Sequence, residues 1–394
     1  MSSRDHLYSR LVALLRLGKR SGWLSLLVWL AMVAPALAEL ELRVAVEQDA
    51  SQVRVGSSTP AVLRDPAGQV LGELPANSAI ELSEEAGRIT VGDWQAGAVW
   101  VEPDQDGLVY IGDNWYRGRV LVVRTGSGLT AVNYVDLEQY LYSVVGGEMP
   151  TNWNLEALKS QAVAARSYVL YQRQSNANTV FDVGDTTRWQ VYEGIKEEAP
   201  STRAAVDQTR GQVLTYNGQI IEAVFHSSSG GRTENVEDVW SSPLPYLRSV
   251  QDYDQIAPVY QWSETIPADR LRQLVTGVGN IISMVPEETT PNGRIVSMRV
   301  VGDAGTRTIS GNDLRSALNL RSTLFSVVPQ MGNVASANGA VSLPHSFQIV
   351  GRGFGHGLGM SQWGALGLAQ QGYNYQQILT HYYTGAVLSV IRVE

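Results

Sequence analysis

Cysteine is absent from all 394 residues. No disulfide therefore holds the fold, and no thiolate is available as nucleophile or metal ligand. Histidine is scarce, with five residues, and none of them shows H-x-x-x-H or H-E-x-x-H spacing. A zinc site would have to assemble His226, His356 and His381 with Glu234 or Asp238 from distant segments, without a motif behind it. No metal ligand set and no cofactor is expected. Charge is also sparse: charged residues make up 17% of the chain, the formal net charge is −8, and no basic stripe is present. That balance argues against nucleic acid as a partner. Internal repeats and low-complexity segments are missing. No apolar run reaches the roughly 20 residues that a membrane-spanning helix needs.

The N-terminus comes closest to such a run. Arg4, Arg10, Arg16, Lys19 and Arg20 precede WLSLLVWLAMVAPA and then Ala36-Leu37-Ala38. Basic region, short apolar core and small-x-small site, in that order, make a secretory leader over residues 1–38. Its removal would shift the formal charge from −8 to −12, since it carries five basic residues and one acid. The expected location is outside the inner membrane, in the periplasm or cell wall, with no lipid contact afterwards. An uncleaved leader acting as an anchor is the alternative.

From Glu39 to about residue 127 the chain is strand-like, with LRVAV, QVRV, RITV and RGRVLVVRT separated by DPAG, LPAN and GDNW turns. This predicts a β-rich N-terminal domain over 39–127, without an acid–base pair or ligand cluster; wall targeting is its expected role. Residues 128–394 form the second expected domain. There NLEALKSQAVAARSYVLYQRQ carries apolar residues near a 3.6 period, with Thr151 or Asn154 as cap. TYNGQIIEAVF predicts a hairpin at Asn217-Gly218. A helix near Ala268–Val275 and two C-terminal helices, Ser361–Gln371 and Tyr375–Tyr383, complete a mixture with no regular βαβ rhythm. The fold class is α+β.

Three stretches carry unusual residues. In SVVGGEMPTNWNLEALKSQ, Glu148 stands between Gly146-Gly147 and Met149-Pro150. Pro150 disfavours helix at Met149, so Glu148 is expected just ahead of the helix. A carboxyl there reads either as a helix-start acid favoured by the dipole, or as a desolvated proton donor of the kind glycosidic cleavage needs. In VFHSSSGGRTENVEDVW, His226 and Ser228 either hydrogen-bond a polar ligand or satisfy a tight turn; the G-x-S-x-G spacing of a nucleophile elbow is missing. In GRGFGHGLGMSQWGALG, glycine takes every second position from Gly351 to Gly359. Read as a strand, this places Arg352, Phe354, His356 and Leu358 on one face and bare backbone on the other. The spacing is not that of a dinucleotide loop.

Together these blocks resemble the SpoIID/LytB family, the bacterial stage II sporulation protein D and amidase-enhancer group. YLYSVVGGEMPTNWNLEALKSQAVAARSYVL, TTRWQVYEG, FHSSSGGRTENVEDVW with PYLRSV, and GRGFGHGLGMSQWGALGLAQQGYNYQQILTHYYTGA follow the family's order over roughly residues 128–390. The resemblance implies a lytic transglycosylase that cuts peptide-stripped peptidoglycan glycan strands. The glutamate of its E-M-P step, here Glu148, is then the catalytic acid. It would protonate the oxygen between N-acetylmuramic acid and N-acetylglucosamine, the muramyl 6-hydroxyl would close on the anomeric carbon, and a 1,6-anhydro end would result. One carboxylate can act as acid and then base. The resemblance also implies groove roles for His226, Ser228, Ser229, His356 and Gln362, and sugar contact for Gln190 and Tyr192. Gln161 and Arg166 lie on the helix after the acid in structural, orienting roles, where Arg166 would orient loops or pair with a carboxylate instead of doing chemistry. Some relatives bind zinc through cysteines near the H-S-x-S-G-G turn; this chain has none, so that site does not carry over. The alternative function is a non-catalytic enhancer that binds glycan and a cell-wall amidase.

Overall fold

The segment RVLVVRT, Arg119–Thr125, alternates buried and half-exposed side chains, the two-residue period of a strand with one face on a core. Such segments dominate the first third of the protein. The computed structural model describes residues 40–391 apart from 93, 127, 187–188, 241 and 332–342. The expected leader, 1–38, lies outside the described residues. Among those described, no helix is long and apolar enough to cross a membrane.

The strands are β1 (Glu41–Ala50), β2 (Gln52–Ser57), β3 (Ala61–Arg64), β4 (Val70–Leu74), β5 (Ser78–Glu85), β6 (Arg88–Val91), β7 (Trp94–Ala96), β8 (Ala98–Pro103), β9 (Val109–Ile111), β10 (Asn114–Tyr116), β11 (Arg119–Thr125) and β12 (Gly128–Asp136). They make most of a seven-stranded sheet, β13-β1-β12-β11-β8-β3-β4, in which β13 is the short Val183–Gly184 strand. The rest form a six-stranded sheet, β10-β9-β2-β5-β6-β7. Val44, Val53, Leu82, Val101, Val120 and Val122 are fully buried between neighbours. The anticipated division between 127 and 128 falls in the turn of the β11–β12 hairpin, which pairs from Arg119↔Tyr134 to Thr125↔Gly128. β12 in turn pairs with β1. One sheet thus runs through both segments, and Glu41–Ile391 clusters as one unit.

Asp136 caps the next element, α1 (Leu137–Glu148), by accepting from the N–H groups of Glu138 and Gln139. α2 (Leu155–Asn176) follows, capped by Asn154 and with Glu156 in its first turn. Ala157, Ser160, Ala162, Ala164, Ala165 and Ser167 are all buried on α2. These small side chains let α3 (Pro200–Asp207) and β14 (Gln212–Tyr216) pack closely around it. The hairpin from β14 to β15 (Gln219–Ile220) turns at Asn217 and Gly218, both with positive φ, as the Asn-Gly pair predicts.

The remaining elements are β16 (Phe225–His226), α4 (Val236–Val239), β17 (Gln261–Pro267), α5 (Ala268–Leu274), β18 (Ile281–Thr289), β19 (Ile295–Gly302), β20 (Gly305–Ser310), α6 (Gly311–Leu318), β21 (Phe325–Met331), β22 (Pro344–Arg352), β23 (Met360–Ser361), α7 (Gln362–Gln370), α8 (Tyr375–Tyr382) and β24 (Val387–Val390). The sheets β17-β22-β21 and β18-β19-β20 enclose a core of Trp262, Leu271, Met298, Leu314, Phe347 and Ile349. At about 1.5–3 kcal/mol for each large apolar side chain taken from water, this cluster stabilises the region substantially. The whole is α+β and β-rich.

Candidate functional site

Glu148 is not at the start of a helix. It is the last residue of α1, and Met149 is extended as the C-cap, which corrects the expectation of a helix-start acid. The Met-Pro step ends α1 instead of opening α2, whose own cap lies six positions on at Asn154. The two glycines belong to α1's last turn. A Cβ on Gly146 would collide with the Glu197 carbonyl, and one on Gly147 would press on Val191 at 3.0 Å from Cγ1. Bare backbone is therefore what lets the chain at 191–197 lie against this turn.

The carboxyl of Glu148 accepts a hydrogen bond from the Val191 N–H at 3.1 Å, and the Gln362 amide donates to its other oxygen at 3.4 Å. Burial pushes its pKa above the ordinary glutamate range, and those two hydrogen bonds only partly offset the effect. The C-terminal end of a helix is also unfavourable to an anion. A protonated carboxyl is the favoured form further up the pH scale than for a solvated glutamate.

Glu148 lines a cleft of about 460 Å³. The opposite wall comes from two segments stitched together. β16 pairs in parallel with β23, setting His226 against Ser361, and Ser228 bridges Phe354. Gly353, Gly355, Gly357 and Gly359 all have positive φ, so the alternating glycines form a left-handed loop and not the extended strand anticipated. A Cβ on Gly355 would stand 2.7 Å from that of His226, which is why the loop can carry His356 alongside it. The two imidazole rings lie 5.2 Å apart.

Their tautomers follow from their partners. His226 Nδ1 lies 3.0 Å from the Leu358 carbonyl, which only accepts, so Nδ1 carries the proton. His356 Nε2 donates to the Phe225 carbonyl at 3.0 Å, while its Nδ1 accepts from the Leu358 N–H. Burial holds both rings neutral: it lowers His226 well below the usual range and His356 to about 4.

The cleft thus gathers Glu148, His226, His356 and Gln362. Ser228 and Ser229 are fully buried behind it, donating to Asp254 and Asp252, and the serine that reaches the cleft is Ser227. Both therefore hold the turn instead of the groove. Gln190 and Tyr192 are 1% and 2% exposed. Gln190 accepts from the Tyr140 hydroxyl, and Tyr192 donates to Asn133, so sugar contact by either is corrected to a core role. It is the residue between them, Val191, that meets Glu148. Arg166 is buried and pairs with Glu138, its Nε 3.0 Å from Oε1, while also donating to the Gln212 carbonyl. Gln161 is buried on the same helix, with neither amide atom partnered among the described residues. Of the residues weighed for zinc, His381 meets the Gln251 carbonyl and Glu234 pairs with Arg294. Among the described residues no three His, Cys, Asp or Glu side chains converge as a metal site would require.

Sequence reasoning named Phe354 but passed over the rest of the aromatic lining: Tyr168, Trp189, Phe225 and Trp240. Trp240 and Phe354 are each more than two-fifths exposed, unusual for such large apolar side chains. Their signal was the position of single aromatics directly beside polar turn residues, in VEDVW and GFGH. Among the described lining residues Glu148 is the one carboxylate.

A family model described as stage II sporulation protein matches residues 125–216, and a domain of unknown function matches 245–359. An uncharacterized protein of Brachyspira hyodysenteriae is 34% identical over 75% of this chain and 77% of its own length. The stage II sporulation protein D of Bacillus subtilis is 34% identical over 66% of this chain and 76% of its own. The amidase enhancer of Bacillus subtilis is 33% identical over 63% of this chain and 40% of its own.

Proposed function

From the premise that this chain belongs to the stage II sporulation protein D family, we propose that it is an exported lytic transglycosylase acting on the glycan strands of peptidoglycan. The observation that carries the reading is one carboxyl, its pKa raised by burial, facing a cleft walled by aromatic rings, with no second carboxylate among the described lining residues. Hydrolysis of a glycosidic bond ordinarily uses two carboxylates. A single one suffices when the substrate supplies its own nucleophile.

In the proposed step the Glu148 carboxyl gives its proton to the glycosidic oxygen as the C1–O bond breaks. The resulting carboxylate then takes the proton of the muramyl 6-hydroxyl as the O6–C1 bond forms. The acid is regenerated, no water is consumed, and a 1,6-anhydro end is left. Aromatic rings such as Trp240 and Phe354 would take the apolar faces of the sugar rings. Neutral His226 and His356 add no charge to repel the positive character that develops at C1. Cell-wall remodelling is the role these relatives suggest, in the periplasm or wall. The amidase-enhancer relative supports a second reading, in which the cleft binds glycan without cutting it and an amidase is the partner.

The test is mass spectrometry of peptide-free glycan strands incubated with the purified protein and with its Glu148→Gln variant. Anhydro ends, one water lighter than hydrolysed ends, from the wild type alone are the expected result. Intact strands with both proteins, but faster cleavage by an added amidase, would replace the transglycosylase by the enhancer.

A further inference from the structure

Far from Glu148 in sequence, the solvent face of the six-stranded sheet carries a second concave site. Ala79, Gly56, Tyr110 and Trp115 stand in one register row across β5, β2, β9 and β10, so they share a face. Two small residues next to two large rings leave a hollow of about 220 Å³. Tyr110 and Trp115 form its wall, with centroids 5.2 Å apart at 60°. Gly56 admits nothing larger, since a Cβ there would lie 2.9 Å from that of Ala79. The Arg54 guanidinium lies 5.6 Å from the Tyr110 ring centre, and Asn77 and Ser78 close the remaining side.

The polar groups around this wall are unmatched. The Tyr110 hydroxyl, the Trp115 N–H, the Asn77 amide and the Arg54 guanidinium have no hydrogen-bond partner among the described residues. Glu81 stands opposite Arg54 in register without forming an ion pair. An apolar side chain seated here would strip water from those groups and give nothing back. A pyranose offers a C–H face to the rings and hydroxyls to the rim.

We propose that this hollow is a second, non-catalytic glycan site that holds one sugar ring of a strand already engaged elsewhere on the wall. The proposal rests on the peptidoglycan reading of the cleft. The two sites are linked through one 3-10 turn. Gly194 abuts the Trp115 carbonyl, and Glu197, at the end of the same 3-10 turn, abuts Gly146 two residues before Glu148. Two weak contacts on one polymer raise apparent affinity through effective concentration, without any new contact in the cleft.

The experiment is co-sedimentation with purified peptidoglycan, run in the Glu148→Gln background so that cleavage cannot alter the ligand. Two changes are compared: Trp115→Ala with Tyr110→Ala, and Ala79→Leu, which fills the hollow from an exposed strand position. Binding weaker by about tenfold is expected for both, with cleavage of short soluble strands by the same changes in the Glu148-intact protein held within about twofold, because short strands gain little from a second contact. Unchanged sedimentation of the Ala79→Leu protein overturns the proposal even if the double variant fails to fold. Persistent cleavage by Glu148→Gln would instead overturn the reading of the cleft, and the sedimentation comparison would still decide the hollow.

Discussion

Glu148 closes one helix instead of opening the next, and that placement inverts the electrostatics of its carboxyl. At a helix start the dipole would stabilise the anion; at the end of α1 it opposes ionisation, in the same sense as burial. On the proposed transglycosylase reading, replacing Glu148 by Gln lowers strand cleavage by about 10²–10⁴-fold, the usual worth of a positioned general acid. Wild-type cleavage should decline as rising pH ionises the carboxyl. The stability effect has the opposite sense. A folded pKa raised above the unfolded one means the native state binds the extra proton, so stability is lost as pH rises from the unfolded value through the folded one. Calorimetry should therefore find Glu148→Gln more stable than wild type at neutral pH, with the advantage vanishing near pH 4. A higher Tm for wild type at pH 7 would contradict the desolvated carboxyl. Gly146 depends on the same geometry. Gly146→Ala drives a methyl into the Glu197 carbonyl, and a cost of about 1–3 kcal/mol in denaturant unfolding is expected, as for other overpacked sites.

At the scale of elements, the pairing of Arg166 with Glu138 ties α2 to α1, and their bonds to Gln212 and Gly211 tie both to the start of β14. Removing one partner of such a pair strands the other charge in the core. Arg166→Met should therefore cost about 3–5 kcal/mol by urea titration, while Glu138→Leu with Arg166→Met recovers much of the loss. If Arg166 acted in the chemistry, the double variant would stay inactive although folded. α2, α5, α7 and α8 were legible in the sequence, with period, cap and first-turn acid agreeing for α2, and the Asn-Gly pair marked the β14–β15 turn. The element bearing Glu148 was not. No helix was expected over LEQYLYSVVGGE, and only packing against the 3-10 turn at Gly194–Glu197 explains a Gly-Gly pair inside a helix. The glycine loop at 353–359 misled in the opposite way: alternation suggested a strand, whereas four positive φ values make it a coil. Cleft residues were recognised where a motif named them, as with His226, His356 and Gln362. Ser228, Ser229, Gln190 and Tyr192 belong to equally distinctive motifs but serve the support behind the site, and spacing alone does not separate a wall from its buttress.

At the scale of the whole molecule, two sets of wholly or partly buried groups oppose each other. Burial raises Asp185 and Asp254 to about 6, the latter also through its neighbour Asp252, and Glu148 and Glu222 shift the same way. Each of these acids subtracts stability as pH climbs from about 4 towards its raised value. Burial lowers His356 to about 4, and His226 moves in the same direction. These rings are neutral in the native state while the unfolded chain takes up protons below about 6.5, so they subtract stability as pH falls. Surface carboxylates such as Glu156 and Glu237 shift downwards beside Lys159 and Arg248, but exposed pairs of this kind contribute little. Between about pH 4 and 6.5 the two sets therefore pull Tm in opposite directions, and the observed slope is their balance. Single replacements should unbalance it in opposite directions. Asp254→Asn removes an acid that favours low pH, leaving the histidines to make Tm fall on acidification. His356→Gln removes a group that favours high pH, leaving the acids to make Tm rise on acidification. Calorimetric scans of the three proteins at half-unit steps would read both slopes. Parallel curves for all three would mean that neither Asp254 nor His356 is held in its neutral form by the fold.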